Sequence, residues 1–291
     1  MFGFLLINKP GGITSHDAVY AVRRALGTKR VGHAGTLDPQ ATGLLFMAVG
    51  PATRFLKYLD LEPKAYEFTV LFGTETDTYD ADGQVVQEKP VPPDLEDRIR
   101  TSLINFLGEI EQLPPMFSAV KKDGKPLYKY ARQGEEVERE PRAVNVYTLE
   151  VLSFQSPQAT FRCVCSGGTY VRTIAHDLGR LVGCGAHVTA LSRTAVGRFK
   201  IEQAKGLDDV GPQDLISPEQ ALDPMPVMRL KDGQVQVLQH GNFLRVTEAP
   251  NEELTAVTDE DGTFVCVARV LENELHPECV VQMEEANGTI R

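Results

Sequence analysis

Several chemistries are excluded by what this 291-residue chain does not contain. Its five cysteines, Cys163, Cys165, Cys184, Cys266 and Cys279, include no C-x-x-C pair. An odd count in a chain of this size does not build a disulfide framework, so they read as reduced, mostly buried thiols. There is no H-E-x-x-H and the six histidines are scattered, so no metal site is expected. Neither G-x-x-x-x-G-K-[ST], G-x-G-x-x-G nor G-x-S-x-G occurs, which removes the familiar nucleotide loops and the hydrolase elbow. No apolar run approaches the roughly 20 residues of a membrane span. The opening MFGFLLINKPGG lacks a basic region before its apolar run, so a first β-strand is expected there and not a signal peptide.

A local absence is more informative. From Val31 to Thr53 the only formally charged side chain is Asp38, set in VGHAGTLDPQATGLL. Small neighbours would let a ligand approach the backbone closely, and Pro39 fixes the chain direction. Capping a turn is one use for such a residue. Catalysis is the other, and an isolated carboxylate in apolar surroundings then needs a cation from elsewhere to stay ionised. Arg172, in a strand-turn-helix segment, is the candidate cation.

Basic charge is also scarce, with a net of −10, but the deficit is uneven. Residues 200–291 hold 7 basic and 18 acidic side chains, whereas residues 9–64 hold 8 basic and 4 acidic. Local patches decide phosphate contacts, so an acidic total does not exclude RNA. The stretch FSAVKKDGKPLYKYARQG interleaves Lys121, Lys122, Lys125, Lys129 and Arg132 with Tyr128 and Tyr130, a mixture found on RNA-binding surfaces and also in solvated loops. The acidic group Glu75, Asp77, Asp80 and Asp82 fails as a calcium loop, because Thr78 and Lys89 occupy its first and twelfth positions. It reads as a solvated hairpin turning at Asp82-Gly83.

Periodicity predicts strands at FGFLLIN, Leu44–Val49, Tyr66–Phe72, 143–154 and 159–165. Helices are expected from Ser15, as cap, to Leu26, after Pro51, and after Pro92-Pro93-Asp94, and CSGGTYVRTIAHDLGRLVG runs from strand through a Gly-Gly turn into another. Strands and helices mix without regular βαβ alternation, which indicates an α+β fold. Gly and Pro between 205 and 228 mark a linker, so the chain divides into residues 1–226 and a small β-rich unit, 227–291, in which VTDEDGTFVCVARVL turns at Asp-Gly between two β-rich runs and CVVQM supplies another.

With these residues assembled, the chain resembles the bacterial tRNA pseudouridine-55 synthases, the TruB family. NKPGGITSHDAV is similar to the family's K-P-x-G-x-[TS]-S opening, and GHAGTLDPQATGLL to its catalytic motif. KAYEF is similar to the segment that carries the family's active-site tyrosine, and the stretch 117–146 to an RNA-gripping insertion. CSGGTYVRTIAHDLGRLVGCGAHVTALSRTAVGRF resembles the third motif, with Ser192 where a second arginine is common. The resemblance implies a mixed, mainly antiparallel catalytic sheet with flanking helices and a PUA-like tail. It implies Asp38 as nucleophile, Tyr66 stacked on the uracil, Arg172 paired with Asp38, and His33, Tyr170 and Leu191 lining the pocket. It further implies a cytoplasmic enzyme without cofactor or metal, taken as a monomer. That enzyme would flip the T-arm uridine out of its stack and touch the acceptor side through its tail. The basic stretches would dominate binding over the acidic tail. Two rivals are a non-catalytic RNA-binding or chaperone protein on the same fold and a synthase for another RNA. A glycoside hydrolase would need a second facing carboxylate, and none stands out.

Overall fold

The computed structural model describes residues 1–281. In chain order the first half comprises β1 (Gly3–Lys9), α1 (Ser15–Ala25), β2 (Val31–Ala34), β3 (Thr42–Val49), β4 (Lys64–Phe72), β5 (Thr74–Thr76), β6 (Val85–Glu88), α2 (Leu95–Ser102) and β7 (Gly108–Gln112). A short hairpin, β8 (Lys121–Lys122) and β9 (Lys125–Pro126), leads into α3 (Leu127–Ala131). Then come β10 (Arg142–Gln155), β11 (Gln158–Cys165), α4 (Val171–Val182), β12 (Ala186–Val196), β13 (Phe199–Lys200) and α5 (Pro218–Leu222). The remainder is β14 (Val227–Arg229), α6 (Asp232–Gln239), β15 (Leu244–Arg245), β16 (Leu254–Thr258), β17 (Phe264–Leu271) and β18 (Glu274–Val280).

The class is α+β. One large sheet runs β1-β3-β12-β4-β11-β10-β7, with β2 beside β3 and β13 beside β12, and a five-stranded sheet, β14-β16-β17-β18-β15, forms the tail. Pairing is antiparallel except at β3–β12 and β14–β16. The continuous apolar run of β3 follows from burial on both faces. Leu45, Met47 and Val49 pack with Val19 and Val22 of α1, while Leu44, Phe46 and Ala48 face a second cluster with Phe4, Phe55 and Phe199. A third cluster joins β4 and β11 to Ile174, Ala175 and Leu178 of α4.

Where β3 and β12 run parallel they come very close. Gly43 has φ +101°, and a side-chain carbon there would lie 2.3 Å from the Arg193 carbonyl oxygen. Only glycine fits, which explains the last glycine of GHAGTLDPQATG.

Three local readings need correction. Thr14, not Ser15, caps α1: its side chain accepts from the Asp17 N–H while Asp17 returns a bond to the Thr14 N–H. Ser15 is buried instead, donating to the Leu37 carbonyl and accepting from the Leu37 N–H. After Pro51 the chain forms two short 3-10 turns, Gly50–Arg54 and Leu56–Tyr58, rather than a longer helix. The strand expected at CVVQM is β18, which ends at Val280, and Gln282 and Met283 lie outside the described residues.

The tail sheet does not hang free. Phe264 of β17 stacks edge-on against Phe55 at 5.1 Å and meets Phe2 at 6.0 Å, and Val267 and Val281 belong to the same cluster. Truncating a buried phenylalanine typically costs about 3–5 kcal/mol. Phe264→Ala is therefore expected to lower the urea midpoint of the whole chain as a single transition, followed by circular dichroism and amide exchange in parallel. Melting of the tail sheet alone, with the catalytic sheet still protected, would show that the two cores are separate.

Candidate active site

Asp38 lies on the turn between β2 and β3, which is fixed from three sides. Ser15 ties Leu37 to α1. The Ala41 N–H donates to the Asp38 carbonyl. The third tie is Lys9, fully buried at the end of β1, whose Nζ donates to the carbonyls of Pro10, Ile13 and Pro39 at 2.8–3.0 Å. Burial pulls the Lys9 ammonium down to about 8, against the opposing charges of Asp38 and Asp17. The lysine and proline of the NKPGG opening thus clamp one backbone loop onto the Asp38 turn.

Facing Asp38 is Arg172, the second residue of α4 and only 4% exposed. Its Nε lies 2.9 Å from Asp38 Oδ2 and its Nη1 3.1 Å from Asp80 Oδ2. Nη1 also donates to the Thr78 carbonyl at 2.8 Å, and Nη2 to the Phe117 carbonyl at 2.9 Å. A planar fork with five donors suits this set of acceptors; a lysine does not. The start of α4 is pinned in turn by buried Gln112, which accepts from the Tyr170 N–H and donates to the Tyr170 carbonyl.

Asp38, Asp80, Arg172 and Leu191 line one cavity of about 390 Å³, with Phe68, Thr42 and Ser192 among its other walls. Burial pushes the Asp38 carboxyl above its ordinary 3.8, Arg172 pulls it back, and the Asp80 charge adds to the rise. The side chain remains 39% exposed toward the cavity, so it is reachable by a ligand.

Tyr66, His33 and Tyr170 do not form the walls of that cavity. Tyr66 stands two residues from Phe68 on the same face of β4, packed against the α4 cluster. Burial raises its phenol, and the charge of the nearby Arg193 guanidinium opposes the rise. His33 lies in β2 opposite Met47. Burial first, then Arg193 and His16, lower its pKa, and among the described residues its buried Nδ1 has no hydrogen-bond partner. Tyr170 contributes its backbone as the residue preceding α4.

Two residues escaped the sequence reading. Asp80 was assigned to a solvated hairpin, yet β5 and β6 enclose a loop whose Thr78 carbonyl and Asp80 carboxylate turn inward to Arg172. Tyr79, left-handed at φ 64°, stacks on buried His176 at 3.8 Å and holds that loop on α4. The pattern T-D-T-x-D-A-D-G was visible, but its direction was not. Arg193, fully buried with Nε on the Leu44 carbonyl and Nη2 on the Gly35 carbonyl, was detectable as the one charge in the apolar strand of β12. In the 117–146 stretch, Lys125 sits 3.9 Å from the Tyr130 ring centre and Arg132 5.4 Å from that of Tyr128, so the cations cover ring faces that a base would otherwise use. Among the described residues no three His, Cys, Asp or Glu side chains gather to hold a metal. No helix there is long and apolar enough to cross a membrane.

The chain is similar to known proteins over most of its length. A family model described as TruB family pseudouridylate synthase (N terminal domain) matches residues 23–171. Models for the tRNA pseudouridylate synthase B C-terminal domain and for pseudouridine synthase II TruB, C-terminal, match 172–225 and 226–281. A tRNA pseudouridine synthase B from Opitutus terrae is 52% identical over 77% of this chain and 92% of its own length. One from Burkholderia pseudomallei is 43% identical over 96% of both chains. Among solved structures, an H/ACA RNP bound to a substrate RNA containing 2′-deoxyuridine matches with TM-score 0.70 and 26% identity, over 97% of this chain and 85% of that one.

Removing Arg172 would leave Asp38 and Asp80 facing one cavity without a cation. Arg172→Met is expected to cost about 3–5 kcal/mol at neutral pH, as for other broken buried pairs. Burial first, and the Asp80 charge after it, hold the folded-state pKa of Asp38 above its unfolded value, and without Arg172 nothing in the pair offsets them. The penalty is therefore full above the raised pKa and shrinks as pH falls through it. Urea midpoints of wild type and variant across acidic and neutral pH check this; a constant difference would mean that the pairing is not electrostatic.

Proposed function

The chain belongs to the TruB family of pseudouridine synthases, and we propose that it converts uridine 55 in the T-arm of tRNA to pseudouridine. The observation that carries this reading is a reachable carboxylate, Asp38, held at 2.9 Å by a buried guanidinium on the wall of a nucleotide-sized cavity. In this reaction uracil loses its N1–C1′ bond, turns over while still held, and rejoins the sugar through C5, releasing the C5 proton. The target must first be flipped from its stack.

Each proposed role follows from position. Asp38 attacks as a carboxylate or takes a proton at the sugar. Arg172 keeps it ionised and aimed, because the four acceptors around the guanidinium leave one orientation open. Phe68 and Leu191 supply apolar wall, and Tyr66, two residues along β4 and opposite Arg193, is the stacking platform. His33 and Tyr170 flank the pocket. The 117–146 insertion joins the site through the Phe117 carbonyl, so a grip on the T-arm would be coupled to Arg172. We assign residues 1–226 to the catalytic unit and 227–291 to a PUA-like tail toward the acceptor side, in a cytoplasmic monomer.

A tRNA transcript tritiated at uridine C5 tests this. Wild type should release tritium, and changing only uridine 55 should abolish release. Asp38→Asn should lower it by at least about 10³-fold, the scale of a lost nucleophile or base. Tight tRNA binding without release would leave an RNA-binding protein in place of an enzyme.

The acidic limb of kcat/KM reports the Asp38 carboxyl and should lie above the ordinary carboxylate value, as its burial requires. Because the Asp80 charge pushes Asp38 up, Asp80→Asn should move that limb to lower pH. A limb that stays in place would separate Asp80 from the titration.

A further inference from the structure

One row of the main sheet carries charge that the active-site carboxylates do not balance. Lys64, Tyr66 and Phe68 follow one another on one face of β4, and Leu191 and Arg193 of β12 stand opposite Phe68 and Tyr66. Phe68 and Leu191 belong to the cavity wall. Two residues on, about 7 Å along the strand, the row turns basic.

Arg193 is 1% exposed, and its acceptors among the described residues are the Leu44 and Gly35 carbonyls, both neutral. Among the described residues neither Arg193 nor Lys64 pairs with a carboxylate. Glu62 is close enough to raise the Lys64 pKa without forming an ion pair. The two cations converge at one point. A side-chain carbon on Gly35 would lie 3.1 Å from Arg193 Nη1 and 3.7 Å from Lys64 Nζ. Gly35 is exposed and left-handed at φ +76°, on the turn that leads to Asp38.

A guanidinium does not shed its proton in a protein, and a buried charge without a counter-charge is costly. Burial and the charge of Arg193 also lower the Lys64 and His33 pKa values, and among the described residues His33 Nδ1 has no hydrogen-bond partner. Cations crowded together at an opening beside a catalytic carboxylate are arranged for an anion.

We propose that Arg193 and Lys64 hold a backbone phosphodiester adjoining the target uridine, in a subsite that opens at Gly35. This rests on the reading of the chain as a tRNA pseudouridine synthase. The phosphate anchors the ribose at the basic end of the row while uracil, detached at the Asp38 end, turns within the cavity. The site accounts for a fully buried arginine with no acid beside it, and for a glycine where any side chain would fill the space between two cations.

The test uses the full chain and a T-arm stem-loop RNA, with the phosphodiester 5′ or 3′ of the target uridine replaced in turn by a neutral methylphosphonate. One of the two replacements should weaken binding to wild type about tenfold, the scale of a lost charged hydrogen bond. Lys64→Met should bind native RNA about tenfold more weakly, with a salt slope shallower by roughly one ion, and should no longer respond to that replacement. Lys64→Arg should restore the response, which separates a lost charge from a damaged fold. Equal weakening of wild type and Lys64→Met, or a wild type indifferent to both replacements, would overturn the proposal. Tritium release from the native stem-loop is measured alongside: no release discards the synthase reading, whereas release without the coupling discards the phosphate site alone.

Discussion

The arrangement of the site depends on one buried guanidinium. Arg172 reaches the Asp38 turn, the Thr78–Asp80 loop and the Phe117 segment. These three come from distant parts of the chain and touch at this point because each offers an oxygen. None could be withdrawn without leaving a buried donor unpaired, which is costly in a low-dielectric interior. Two carboxylates and two carbonyls around a single fork also fix its rotamer, so the cation that keeps Asp38 ionised aims it as well. Function and local stability share the same bonds.

That cluster needs a rigid floor. β12 supplies it by pairing antiparallel with β4 and parallel with β3, and the parallel contact brings the Asp38 turn over the sheet. The contact requires Gly43, because the Arg193 backbone occupies the space of a side chain there. Lys9 closes the other side by gathering three carbonyls onto one ammonium. A family motif that looks like a list of small and charged residues is, in physical terms, a close approach, a clamp and a carboxylate.

Much of this was legible in the residues. Alternation in β4, the doubly buried run of β3 and the helical spacing of α4 located the scaffold, and the absence of other charge singled out Asp38 and its need for Arg172. Asp80 was not legible. A surface hairpin and an inward loop share the same acidic, glycine-bearing composition, and only the tertiary position of α4 decides which way the carboxylate turns. The cap of α1 was displaced by one residue because Thr14 and Ser15 both satisfy the local rule, and burial of Ser15 against Leu37 settles between them. Gln112 acts through the Tyr170 backbone, which leaves no trace in a pattern of side chains, whereas Arg193 stood out only as the one charge of β12.

Counting charge along the chain misleads in the same way. Residues 9–64 hold twice as many basic as acidic side chains, yet several of those cations face inward. Lys9 is spent on carbonyls, Arg23 on the Val31 carbonyl, and Arg54 on the Val280 carbonyl of the tail. Lys57 lies over the Tyr58 ring, beside Glu278 of β18. The tail therefore draws part of the basic excess into its own attachment, while Phe264 seals the apolar seam. What remains for RNA is a smaller, placed set, of which Lys64 and Arg193 stand nearest the chemistry. For an acidic protein that must hold a polyanion, the position of two cations beside the Asp38 turn, at Gly35, matters more than the sum over the chain.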